Sequence, residues 1–136
     1  MSLSSDARIA WGLKEEGDEL FARGDFGGAI ECYTKALGLF PRDPDLWNVK
    51  GLALSKLKRY DEAIKSYDAA LEHYPRDTRI WNNKGIDLDD AGEHIEAIRC
   101  FDIARAWHNK GITLLKLNRD NEAKNAFDRA KELGFS

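Results

Sequence analysis

Apolar residues in this chain recur at intervals of three, four and seven. Trp47, Leu54 and Leu57 form one such set, and Ala63, Tyr67, Ala70 and Leu71 form the next. This spacing puts side chains on one face of an α-helix, so the pattern predicts amphipathic helices along the chain. Short polar stretches interrupt it at Gly24-Asp25, Lys58-Arg59, Gly92-Glu93 and Asn118-Arg119, each suited to the tight turn of an antiparallel helical hairpin.

The pattern also repeats as a block. The segment from Leu46 to Ala70 aligns without a gap to that from Ile80 to Ala104, pairing Trp47-Asn-Val-Lys-Gly51 with Trp81-Asn-Asn-Lys-Gly85 at a period of 34 residues. One period earlier stand Gly17, Ala29, Tyr33, Ala36 and Pro41. A fourth copy begins at Trp107-His-Asn-Lys-Gly111 and continues through Ala123, Phe127 and Ala130. Each unit is thus one helix pair. Gly17, Gly51, Gly85 and Gly111 on the first helices and Ala29, Ala63, Ala97 and Ala123 on the second let two backbones approach, and Tyr33, Tyr67, Phe101 or Phe127 fills the space beside them.

The 34-residue period, the Trp-to-Gly spacing of four, the Gly-Asp-Phe turn at Gly24 and the Ala, Tyr, Ala, Pro series together resemble the tetratricopeptide repeat (TPR). The resemblance covers Ala10 to Leu133, and the first unit departs from it with Leu13 where the others carry Trp. It implies an all-α fold, a right-handed superhelical solenoid of antiparallel helix pairs. This would be a single domain over 1–136, with repeats at about 10–43, 44–77, 78–103 and 104–133. It also implies a non-catalytic scaffold that binds a protein or peptide segment in the concave groove lined by the first helices.

The groove positions matching the family's are Trp11, Lys14, Asp18 and Phe21 in the first unit; Asn48, Leu52 and Lys56 in the second; and Arg79, Asn82, Asn83, Ile86 and Asp89 in the third. The amides of Asn48, Asn82 and Asn83 both donate and accept, so they could bracket an extended peptide backbone; a solvated helix face is the plainer reading. Trp11, Phe21, Leu52 and Ile86 are large apolar groups on a face that would otherwise be polar, which favours a contact surface. The carboxylate clamp of chaperone-binding relatives is not reproduced, because only Lys14 and Arg79 agree with it and Asp18 would repel a carboxylate.

The joints between units differ. Pro41-Arg-Asp43-Pro44 spells a helix stop followed by a new start, with Asp43 as N-cap and Pro44 at the first helical position, and Pro75-Arg-Asp77-Thr78 repeats the device. The third joint is eight residues shorter: Trp107 follows Trp81 by 26 positions and no Pro lies between His94 and Leu117. Two apolar stripes, Ile98-Phe101-Ala104-His108-Ile112-Leu115 and Cys100-Ile103-Trp107-Leu114-Leu117, cross it unbroken. They predict one fused helix over about 94–117, roughly 36 Å long. A fused helix could not fold back. The last pair would then seek a second chain, giving a homodimer by domain swapping through Ile103, Trp107, Ile112, Leu115 and Phe127. The alternative is a tight kink at Arg105–Trp107 and a monomer.

A net charge of −3 provides no basic field for nucleic acid or anionic lipid. No stretch approaches the ~18 apolar residues of a membrane span, and no leader pattern precedes Trp11, which leads to an expectation of a cytoplasmic protein. Cys32 and Cys100 read as reduced helix residues. His73, His94 and His108 lack metal-ligand spacing, and the glycines are accounted for by the repeat, so no metal, cofactor or catalytic residue is expected.

Overall fold

The computed structural model describes residues 4–134, which form eight helices and no strand. They fall into two compact units divided after Pro75. In the first, α1 (Ser5–Ala22) pairs with α2 (Phe26–Leu39), and α3 (Pro44–Lys56) pairs with α4 (Tyr60–His73). In the second, α5 (Thr78–Asp90) pairs with α6 (His94–Ala104), and α7 (Trp107–Lys116) pairs with α8 (Asp120–Glu132).

The turn within each pair forms where the polar breaks predicted it. Gly24, Lys58, Gly92 and Asn118 take left-handed backbone angles. The next amide donates to a carbonyl five residues back, as from Asp25 N to Leu20 O at 2.8 Å and from Arg119 N to Leu114 O at 2.9 Å. This satisfies helix-end carbonyls that would otherwise lack a partner. A Cβ on Gly17 would lie 2.6 Å from the Tyr33 ring, and one on Gly111 would lie 2.7 Å from Phe127, so only glycine permits the helices to close on their aromatic partners. In the first unit Tyr33, Ala36, Leu37, Leu46 and Ala53 form a buried core flanked by Leu13, Phe26, Ile30 and Trp47. Cys32 and Cys100 are both buried free thiols.

The joint between α2 and α3 follows the sequence reading. Asp43 caps α3, accepting from Asp45 N at 2.9 Å and Leu46 N at 3.2 Å, with Pro44 in the first turn.

The third joint corrects it. The expected fused helix over 94–117 is broken: α6 stops at Ala104, Arg105 turns left-handed at φ 55°, and α7 starts at Trp107. Ala106 N donates to Phe101 O at 2.8 Å, the same closure used inside the hairpins. A non-glycine residue in this conformation costs about 1–2 kcal/mol. The docking of α7 back onto its own chain offsets that cost. Ile98 of α6 packs against Leu114, Ala123 and Ala126. Lys110 Nζ lies 2.6 Å from Asp102 Oδ1, and Asn109 Nδ2 donates to Asn82 Oδ1 at 2.8 Å.

The face of α8 assigned to a second chain is therefore covered within its own. Ala123, Ala126 and Ala130 are buried, and Phe127 lies against Gly111. The kink at Arg105–Trp107 removes the backbone argument for an exchanged fourth unit.

Candidate functional site

The first-helix positions of the opening unit sort into supported and accessible residues. Asp18 accepts the Tyr33 hydroxyl at 2.6 Å and pairs with Lys14 at 3.0 Å. Burial, and then the neighbouring Asp18 carboxylate, push the Tyr33 phenol well above its usual range, so it stays a neutral donor. Phe21 meets Phe26 edge-on with centroids 5.1 Å apart. Asn48 is buried, Leu52 is half-buried and Lys56 is exposed. Trp11 differs from all of these. Its ring is 63% exposed and is steadied by an indole N–H donated to Glu15 Oε1 at 2.8 Å. It stands at a cleft of about 300 Å³ whose wall includes Lys14, Phe40 and Leu46.

In the second unit Asp89 proves structural. It is buried, accepts from Lys116 Nζ at 2.5 Å, and lies 2.7 Å from His94 Nδ1. Burial pushes its carboxyl up, but Lys116, His94 and Thr113 outweigh this and hold it below the ordinary carboxylate range. Arg79 pairs with Asp77 at 2.9 Å, while Asn82 and Asn83 are half-buried and Ile86 is 38% exposed. Of the self-association candidates, Ile103, Ile112 and Leu115 are exposed, whereas Trp107 and Phe127 are half-buried in their own chain.

Trp47, Trp81 and Trp107 sit at the starts of α3, α5 and α7, each with a lysine three residues on lying over its ring at 5.3–5.5 Å. All three are half-buried, and Trp47 packs against the core of the first unit. Among the described residues no group of three or more His, Cys, Asp or Glu could hold a metal ion, and no helix is long and apolar enough to cross a membrane.

Sequence reasoning missed two features. Phe40, 38% exposed, lines the same cleft as Trp11, and it stands at the end of α2 where the α2–α3 joint turns. The other is a cavity of about 560 Å³ at the α6–α7 joint, lined by residues that include Arg79, Asn82, Arg105 and His108. Assuming a continuous helix hid it; the eight-residue shortening was the signal.

Helical hairpins whose small residues are filled by one aromatic per unit, joined by capped turns, define a repeat protein of the helix-pair class. Family models described as tetratricopeptide repeat match residues 14–78 and 49–108, and a further one matches 104–133. The chain belongs to the tetratricopeptide repeat family.

Among curated relatives, RNA polymerase II-associated protein 3 of Rattus norvegicus is 38% identical over 55 residues, covering 40% of this chain and 8% of that protein. E3 ubiquitin-protein ligase CHIP of Arabidopsis thaliana is 43% identical over 49 residues, covering 36% and 17%. The match thus spans less than a fifth of either relative. Among solved structures, MamA superposes with a TM-score of 0.85 at 21% identity over 94% of this chain and 80% of that one. YrrB, described as a TPR protein with an unusual peptide-binding site, gives 0.79 at 23% identity over 95% and 71%. At such identities these structures share the fold.

Proposed function

We propose that this chain is a non-catalytic scaffold that binds a peptide or protein segment on the face presented by the first helices of its repeats. The observation that carries this reading is Trp11, a large aromatic left 63% exposed beside a cleft where Phe40 and Leu46 add apolar surface. A tryptophan that gives up solvent contact on docking is a strong anchor, because aromatic side chains dominate the energy of protein interfaces. In the first unit Leu52 and Lys56 add to the candidate surface, with Asp18 held by Tyr33 and Lys14 and Asn48 buried; in the second unit Arg79, Asn82, Asn83 and Ile86 are the corresponding candidates, with Asp89 buried. YrrB, a TPR protein with an unusual peptide-binding site, agrees with this reading.

The test is affinity capture from the native cell with the wild-type chain and with Trp11→Ala, followed by mass spectrometry. A partner retained by the first and lost by the second, with unchanged circular dichroism, is the expected result. Partners retained equally by both would sink the role of Trp11.

A self-assembly module is the second reading, favoured by the exposure of Ile103 at 49%, Ile112 at 39% and Leu115 at 47%. It requires a light-scattering mass of two chains at micromolar concentration that returns to one in Leu115→Asp. A single-chain mass for the wild type excludes it.

A further inference from the structure

An aromatic-Pro-Arg-Asp tetrad follows a second helix twice, as Phe40-Pro41-Arg42-Asp43 and Tyr74-Pro75-Arg76-Asp77. At the α2–α3 joint the fold uses the proline carbonyl, which accepts from Trp47 Nε1 at 2.7 Å, and the aspartate, which caps α3. It leaves the aromatics outward. Phe40 is 38% and Tyr74 46% exposed, unlike the buried Tyr33 and Tyr67 that close the hairpins.

Phe40 lines two clefts of the first unit. One is the Trp11 cleft of about 300 Å³; the other, of about 660 Å³, is lined by residues that include Pro41, Arg42, Pro44 and Tyr74. Asp43 also lines both, so the two clefts run together along the α2–α3 joint as one trough walled by rings and prolines.

The polar groups left over in the trough differ from end to end. On the Tyr74 side they are donors: the Tyr74 hydroxyl and the Arg42 guanidinium make no hydrogen bond or ion pair among the described residues. On the Trp11 side the remaining group is a carboxylate. Asp43 commits Oδ1 to the α3 amides, and no cation pairs with it among the described residues. Lys14 is tied to Asp18 at 3.0 Å, Asp45 is already engaged, and Arg42 does not line this cleft. The charge left unbalanced beside the exposed Trp11 ring is therefore negative.

A proline-rich segment matches both ends. In the polyproline II conformation the backbone has no internal hydrogen bonds, so its carbonyls are free to accept from Tyr74 and Arg42 while its rings pack on aromatics. An arginine guanidinium stacks on an indole face and pairs with a carboxylate, the two features that the Trp11 side presents. With no strand among the described residues, a partner strand has no sheet edge to join.

We propose that this trough binds a proline-rich segment of a partner protein in the polyproline II conformation, its prolines against Phe40 and Tyr74 and an arginine between Trp11 and Asp43. The inference rests on the scaffold reading and names the partner class for the Trp11 site.

The full chain, ¹⁵N-labelled, is titrated with short blocked peptides. The first has an arginine followed by a Pro-x-x-Pro run, the second has Gln in place of that Arg, and the third has Ala in place of every Pro. The first should move the Trp11 indole signal and the amides of Phe40, Arg42 and Tyr74. The second and third should each bind about tenfold or more weakly. Tyr74→Ala, at an exposed ring, should weaken the first peptide to a similar degree with circular dichroism unchanged. Asp43→Asn keeps a capping oxygen and removes the charge, so it should bind the Arg and Gln peptides equally.

Trough signals unmoved by the first peptide, an Ala peptide bound as tightly, or an arginine preference that survives Asp43→Asn overturns the proposal. Cellular partners lost with Trp11→Ala while no peptide moves the trough signals also overturn it and leave the scaffold reading standing. The expected peptide pattern alongside cellular partners indifferent to Trp11→Ala supports the trough and removes Trp11 only as the anchor for those partners.

Discussion

The α2–α3 and α6–α7 joints solve one problem with different chemistry. Both must end a second helix and start the first helix of the next unit. The α2–α3 joint uses Pro41, the Asp43 cap and Pro44, and its tryptophan is anchored on the Pro41 carbonyl. The α6–α7 joint uses two residues, Arg105 and Ala106, closed by one backbone bond to Phe101 O. The long joint is self-sufficient in acceptors. The short joint also docks one pair on the next, over a smaller contact, and it leaves the start of α7 without a side-chain cap. A repeat can therefore lose its linker and keep its hairpin, because the glycine–aromatic contacts that close each hairpin lie within the pair and not across the joint.

The largest test of this comparison removes the aromatics beside each joint. Tyr33→Ala and Phe101→Ala each empty a site about 1% exposed and should cost about 3–5 kcal/mol in denaturant unfolding. A much smaller loss for Phe101→Ala would mean that the short joint is loosely packed.

Next come the tryptophans. Trp47→Phe deletes a made hydrogen bond, whereas Trp107→Phe deletes a buried donor that has no acceptor among the described residues, so the former should be the more costly by about 1 kcal/mol or more. Equal costs would show that Trp107 Nε1 has an acceptor after all.

Arg105→Gly tests the break itself. Glycine relieves a left-handed residue, so stability should rise by about 0.5–1 kcal/mol. In a continuous helix the same change would lower stability by a similar amount, so the sign decides.

The smallest expected effect is pH-dependent. The folded-state pKa of Asp89 lies below its unfolded value, so its contribution is complete above the unfolded value near 3.9 and is lost as pH falls through the folded one. The wild type should lose more stability than Asp89→Asn on acidification below about pH 4. Parallel curves would remove Asp89 from the acid response.

Much of the fold was legible because each device is local. The turns at Gly24, Lys58, Gly92 and Asn118, the Asp43 cap and the Gly17–Tyr33 type of contact each leave a residue-level mark. The break at Arg105 was hidden because periodicity reports which face is apolar, and α7 needs an apolar face whether or not α6 continues into it. Lys58-Arg59, also without Gly or Pro, was the available hint that this chain turns helices on basic residues. The candidate site was read less well. Sequence placed Asp18 and Asp89 on the binding face, but it could not see that Tyr33 and Lys116 engage them, since those partners lie 15 and 27 positions away.

The sequence by itself determined the helix pairs, their phase and their family, since a 34-residue repeat of small and aromatic residues is satisfied by one hairpin geometry. Only the tertiary structure decided where the last pair packs. That choice sets the cost of a left-handed Arg105 against burial of Ile98, Leu114 and Ala126, a balance between groups distant in sequence that no local pattern records.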